Sequence, residues 1–305
     1  MLALGIDLGG TKVEAALLDD AGRTLWKQRL ATPAGDYAAT VRSVATLVAT
    51  ASAAAGGPIT IGIGTPGTAT PAGLMKNCNS TCLNGQPLQT DLQAALGRPV
   101  VLMNDANCLA VSEATDGAGA GAAVVFAAIV GTGTGAGIAV HGRVLMGPNG
   151  LAGEWGHNPL PWAHEHGDPM WACYCGHSGC VESLVSGPGL ARDHAQQHGG
   201  LLDARTIAQR ATAGDAACRQ TLDHHAHRLA RALAGVINLL DPDVIVLGGG
   251  LSLMPHVYEQ VPALWGQWVF SAGANEPVRT RLLPALHGDA SGARGAAWVG
   301  RAARC

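Results

Sequence analysis

One pattern occurs twice in this chain: an apolar run enters a cluster of glycines and returns as a second strand. Residues 2–7 run into Gly9 and Gly10 and come back at 13–18. Far downstream, V-V-F-A-A-I-V from Val124 enters G-T-G-T-G-A-G and returns as the alternating G-I-A-V-H-G-R-V-L. A glycine turn between two short apolar runs reads as a β-hairpin, and its recurrence reads as an internal duplication with one copy in each half. Further strands are predicted at 24–30, 59–63, 100–103 and 244–247. A helix capped by Asp36 carries Tyr37, Val41, Val44 and Val48 on one face, a long helix covers about 215–240, and a closing helix starts from Asp289. This alternation predicts an α/β protein of two similar lobes with a cleft between them. The change of lobe is expected near the G-A-G-A-G stretch at 117–121. That places 1–116 with 290–305 in a small lobe and 117–289 in a large one.

Length and composition agree with two domains or one large α/β unit, at 305 residues. A net charge of −3 and only 3 Lys give no footprint for nucleic acid or an anionic membrane, so small polar metabolites are the expected partners. The opening M-L-A-L-G-I-D shows no basic n-region, and no apolar run reads as long enough to span a bilayer; a cytoplasmic protein is expected. Cys78, Cys82, Cys108, Cys218 and Cys305 are isolated and do not form a disulfide framework.

Glycine lets backbone N–H groups approach phosphate oxygens without a Cβ in the way. In D-L-G-G-T-K, Asp7 ends a strand where a carboxylate can hold a metal's water shell, and Thr11 and Lys12 add a hydroxyl and a cation. The turn at Gly131, Thr132 and Gly133 superficially matches a dinucleotide fingerprint, but it opens a strand and not a helix, which disfavours a Rossmann reading. Three glycine turns at strand ends, at Gly9, Gly131 and Gly248, point to a nucleotide. N-D-A-N supplies Asp105 as a candidate general base; an N-cap carboxylate is its plainer role, and both can hold.

E-W-G-H and C-Y-C-G-H-S-G-C-V-E place His157, Cys173, Cys175 and Cys180 as an imidazole and three thiols suited to a tetrahedral structural Zn²⁺. The alternative is three reduced buried cysteines beside an unrelated histidine, and the cysteine crowding favours a ligand. Glu154 and Glu182 bracket the site and can hold acceptors against a polyhydroxylated ligand. His164, His166 and His177 read as loop residues, with His177 an alternative ligand.

Taken in order, I-D-L-G-G-T-K, N-D-A-N, G-T-G-T-G-A-G, E-W-G-H, C-Y-C-G-H-S-G-C-V-E and V-L-G-G-G resemble the ROK family of sugar kinases, within the actin-like ATPase superfamily, over essentially the whole length. The resemblance implies a ribonuclease H-like fold, ATP and a hexose as substrates, Mg²⁺ with the ATP, a structural zinc and a homodimer. It implies Asp105 as the base. Gly9, Gly10, Thr11, Lys12, Gly131, Thr132 and Gly133 would face the phosphates, Asp7 would lie near Mg²⁺, and Gly248, Gly249 and Gly250 near the adenosine. Gly67, Asn79, Asn104, Asp105, Glu154, His157 and Glu182 would meet the sugar, His157 giving one nitrogen to zinc and donating from the other to a sugar hydroxyl. The loop K-N-C-N-S-T-C-L-N-G is similar to the bacterial fructokinase branch that also handles mannose, which favours conversion of D-fructose to fructose 6-phosphate. Cys82 stands where that branch tends to carry Trp. Glucokinase and N-acetylglucosamine kinase are the alternatives within the family. A non-catalytic sugar-sensing repressor body is the alternative from another class, disfavoured because no helix-turn-helix precedes the first strand.

Overall fold

The computed structural model describes residues 1–270 and 276–303; Cys305 lies outside them. The chain forms two compact units, one of Met1–Gly121, Gly142–Ala152 and Asp289–Cys305, the other of Ala122–His141 and Gly153–Gly288. Residues 142–152 thus return to the first unit, a return that a single boundary at 117 does not contain.

In the first unit, β1 (Leu2–Leu8), β2 (Lys12–Leu18) and β3 (Thr24–Ala31) form an antiparallel meander. Helix α1 (Tyr37–Ala55) follows, with Asp36 Oδ1 accepting from Ala39 N at 2.8 Å, a cap that typically stabilises by about 1 kcal/mol. Its buried stripe is Thr40, Val44, Leu47, Val48 and Ala51. By length and composition this 19-residue helix is apolar enough to cross a membrane, contrary to the expectation that no apolar run is long enough. Its Val44, Leu47 and Val48 instead pack with Leu4, Ile6 and Leu8 in the core. Then come β4 (Ile59–Thr65), the two-residue strands β5 (Thr68–Ala69) and β6 (Met75–Lys76), α2 (Leu88–Leu96), β7 (Val101–Asn104) and α3 (Asp105–Asp116). The sheet order is β3-β2-β1-β4-β7, with β1, β4 and β7 parallel.

Even-numbered residues of β1 face α1 and α2, while odd-numbered Ala3 packs on the closing helix with Ala293 and Ala297. That closing helix lies against the strands with almost no clearance, since a Cβ at Gly62 would sit 1.8 Å from Ala296 O.

The second sheet repeats the plan. β8 (Val124–Val130) and β9 (Thr134–Val140) form the hairpin, and the sheet order is β10-β9-β8-β11-β12, with β11 (Val244–Gly248) and β12 (Arg281–Pro284) parallel to β8 and the two-residue edge strand β10 (Arg143–Val144) drawn from the 142–152 segment counted with the first unit. Helices α4 (Val181–Val185), α5 (Gly187–His198), α6 (Ala204–Thr212), the 25-residue α7 (Ala216–Leu240) and α8 (Pro255–Leu264) cover it, and α9 (Ser291–Ala302) closes the chain in the first unit. A three-strand meander followed by two parallel strands, occurring twice, is the duplicated α/β architecture of the actin-like, ribonuclease H-like fold.

Candidate functional site

Parallel strands in open α/β sheets present ligands at their carboxyl ends, and in the first unit the predicted residues collect there. Asp7 pairs in register with Gly64, and Thr65 with Asn104, so the ends of β1, β4 and β7 lie side by side. Asn104 is the cap of α3: its Oδ1 accepts from Ala106 N at 3.0 Å and Asn107 N at 3.2 Å, and its Nδ2 donates to Gly67 O at 3.2 Å. Asp105 is therefore the first helical residue and not the N-cap, and its Oδ1 accepts from Ala106 N at 2.7 Å. At Gly67, with φ 71°, a Cβ would sit 2.2 Å from Lys76 O, so only glycine lets the segment from Lys76 fold over this edge. Asn84 pins that segment by accepting from Cys78 N at 2.9 Å and donating to Cys78 O at 3.0 Å.

The result is a cavity of about 320 Å³ whose lining includes Gly9, Gly10, Thr11, Asn79 and Cys82. The first glycine turn and the Asn79 loop thus share one space. Lys12 Nζ donates to Asp289 Oδ2 at 2.9 Å.

Carboxylates crowd the same edge. Asp7 is pushed up to about 7, first by burial and then by Asp105 and Glu14, while Lys12 pulls it down. Glu14 is buried too, but hydrogen bonds from Lys27 and Arg29 outweigh that burial and hold it below the usual carboxylate range. Burial beside Asp7 and Asp105 drives the Cys108 thiol well up, so it stays neutral. A buried carboxyl beside two further carboxylates is a setting that a divalent cation relieves, so Asp7 fits a Mg²⁺ carried with ATP.

In the second unit the other two glycine turns leave the sheet side by side, because Gly248 pairs with Ile129 just before Gly131. The turn closes through Gly131 N to Gly133 O at 2.9 Å, and Gly187 N donates to Gly131 O at 2.7 Å. Gly249 and Gly250 follow directly, at the start of a short 3₁₀ turn, Gly250–Leu253.

The E-W-G-H segment is set by packing. Trp155 is buried edge-on against Phe126 at 5.6 Å, and a Cβ at Gly156 would lie 1.9 Å from Thr134 O, so the backbone lies against β9 with Glu154 and His157 on either side. Glu182, in the first turn of α4, accepts from Thr134 N at 2.8 Å, which ties it to the second glycine turn.

His157, Cys173, Cys175 and Cys180 come together with their donor atoms all within 4.8 Å of one another. Cys173 Sγ lies 3.6 Å from His157 Nδ1, and Cys175 Sγ 3.6 Å from Cys180 Sγ. A tetrahedral ion with Zn–S near 2.3 Å sets its donors about 3.8 Å apart, so these four fit zinc. His177 is not in this group; its carbonyl accepts from Cys173 N at 2.8 Å and helps fold the loop.

Tyr174 was not anticipated. Its hydroxyl lies 3.1 Å from His157 Nε2, the rings meet edge to face, and its pKa is pushed up to about 12 by desolvation and then by Glu182, Cys173 and Glu154. The only sequence signal was a phenol between two ligand thiols.

The sequence profile of the ROK family matches residues 3–303, and the chain belongs to that family. Among its relatives is the N-acetyl-D-glucosamine kinase of Pectobacterium carotovorum subsp. carotovorum strain PC1, 37% identical over 300 residues that cover 96% of this chain and 97% of the relative. Among solved structures, the ROK hexokinase from Thermus thermophilus superposes with a TM-score of 0.85 at 32% identity, covering 100% of this chain and 99% of that one. A ROK glucokinase from Streptomyces griseus, in complex with glucose and AMPPNP, gives 0.79 at 28% identity, covering 99% and 100%. The likeness to the fructokinase branch finds no support in these names; they favour the alternatives of N-acetylglucosamine and glucose.

Proposed function

We propose that this chain transfers the γ-phosphoryl group of ATP to the 6-hydroxyl of a hexose. The observation that carries the reading is the carboxyl edge of the first sheet, where Asp7 at the end of β1 lies close to Asp105 at the end of β7, and where the Gly9 turn and the Asn79 loop line one cavity. Asp105 takes the proton of the attacking hydroxyl, held in place by the first turn of α3. The amides of Gly9, Gly10, Thr11, Gly131, Thr132 and Gly133 receive the phosphates, Lys12 exchanging Asp289 for a phosphate oxygen, and Gly248, Gly249 and Gly250 border the adenosine. Asp7 would hold Mg²⁺, which supplies charge neutralisation at the phosphates. Gly67, Asn79, Glu154, His157 and Glu182 meet the sugar, while Asn104 acts chiefly by capping α3 and holding Gly67. His157, Cys173, Cys175 and Cys180 would hold a zinc that is structural, because four protein ligands leave no open position for a reacting water.

N-acetyl-D-glucosamine is the leading acceptor on the strength of the relatives. The cavity beside Asn79 supports it: Thr11, Asn79 and Ser80 offer polar partners for an amide, and Pro33, Ala34 and Cys82 an apolar wall for its methyl. D-fructose is the second reading, favoured by the polar Lys76 to Gly85 loop and its likeness to the fructokinase branch. Initial rates with ATP and Mg²⁺ over N-acetylglucosamine, fructose, mannose and glucose decide between them. The highest kcat/KM is expected for N-acetylglucosamine; a panel led by fructose reverses the substrate order and leaves the kinase reading intact, whereas no turnover with any hexose refutes it.

A further inference from the structure

His157 has one ring nitrogen, Nδ1, turned toward Cys173 Sγ at 3.6 Å, within the four-donor cluster. The other, Nε2, is the nitrogen left for a sugar, and in this structure it already has a partner, the Tyr174 hydroxyl at 3.1 Å. With Nδ1 committed to a metal, Nε2 carries the proton and donates to the phenol oxygen. Tyr174 lies between Cys173 and Cys175 in the chain and lines one cavity of about 200 Å³ together with Glu182. It therefore stands beside His157 and Glu182, two of the side chains of this unit assigned to the sugar. Yet the residue is 83% exposed and its ring meets the imidazole edge-on, so this hydrogen bond forms at the surface, where a ligand can reach it.

We propose that Tyr174 is a placeholder in the sugar site: it holds the Nε2 hydrogen bond of His157 while the site is empty and yields it to a sugar hydroxyl. The inference rests on the reading of His157 as a sugar-binding residue. Keeping a proton donor engaged fixes the imidazole orientation before the sugar arrives, and the same bond competes with the sugar, so binding must break it. Tyr174 acts here as a positioning residue, through His157.

The opposing contributions give the proposal a distinctive sign. Tyr174→Phe keeps the ring against the imidazole and removes only the competing oxygen. In the zinc-replete full chain, the dissociation constant of the preferred hexose, measured by calorimetry without ATP, is expected to fall about 2- to 10-fold, the range set by one exposed hydrogen bond. KM falls with it, kcat and zinc content are unchanged, and the ¹⁵N resonances of the His157 imidazole shift in the sugar-free protein. A merely structural tyrosine would leave affinity unchanged or weaken it, and either result overturns the proposal. Should the Phe variant lose zinc, the wild-type chain still decides: saturating hexose must move the Tyr174 ring resonance, and an unmoved ring overturns the placeholder role. Hexose binding without phosphoryl transfer sinks the kinase reading and leaves this one standing; no hexose binding overturns both.

Discussion

His225 and His256 are sealed within the second unit, His225 Nδ1 lying 3.2 Å from His256 Nε2 and His225 Nε2 lying 2.9 Å from Val185 O. A carbonyl can only accept, so His225 donates from Nε2 and receives the His256 proton on Nδ1. Burial pushes both imidazoles below their ordinary value of 6.5, to about 4 and about 3. The sign follows from where protons bind: between pH 6.5 and about 4 the unfolded chain takes up protons that the folded pair refuses. The pair's contribution is complete above pH 6.5 and is lost as pH falls from there toward the folded values. The melting temperature should therefore drop between pH 7 and pH 5, and His256→Leu should flatten that slope; an equal slope in the variant contradicts the assignment. Neither histidine was legible as part of a pair, because α7 and α8 bring together residues 31 apart in sequence. Asp105 was legible, since an acid after a strand and before a helix has few places to go. The cap was not, because Asn104 and Asp105 are equally good capping types and only the backbone decides between them.

The segment that carries His157 and the three thiols shows what an element's sequence can and cannot encode. Four donors at short spacing announce a knot, and the structure brings all four within tetrahedral reach. What holds the knot lies elsewhere: Val181 N donating to Asn158 O at 2.9 Å and Leu160 N to Gly179 O at 2.9 Å join its two segments, and Gly156, meeting Thr134 with no space for a side chain, sets it against β9. Such close approaches leave no periodic trace in a sequence. Gly156→Ala should force the E-W-G-H backbone off β9 and cost on the order of 1–3 kcal/mol, the usual range for overpacking. One zinc per chain is expected in the wild type by elemental analysis, with weaker retention under chelator in Gly156→Ala. Equal zinc retention and an unchanged melting temperature would show that β9 does not anchor the knot. The hairpins were legible for the opposite reason, because strand, glycine turn and strand follow one another directly in the chain, and so was α7 through its length. Helices α2, α4, α5, α6 and α8 were not foreseen; α4 spans only five residues, too short to establish a helical period.

At the scale of the whole molecule, two copies of one sheet order carry different chemistry. The first copy gathers carboxylates and the Asn79 loop at its strand ends; the second gathers two glycine turns and a metal-suited knot. The duplication could be read from the repeated turns, whereas the return of residues 142–152 to the first unit could not, since no composition change marks it. Substrate identity was the least legible property, because it depends on the space around Asn79 and Cys82, which a list of residue types does not contain. The kinase account itself is tested most directly by following ATP, Mg²⁺ and the preferred hexose by ³¹P NMR with wild-type chain and with Asp105→Asn. The account predicts ADP and a hexose 6-phosphate in equal amounts with the wild type, and a rate lower by about 10²- to 10⁴-fold in the variant with sugar binding largely kept. ADP without a sugar ester, or near-normal turnover in Asp105→Asn, would contradict it.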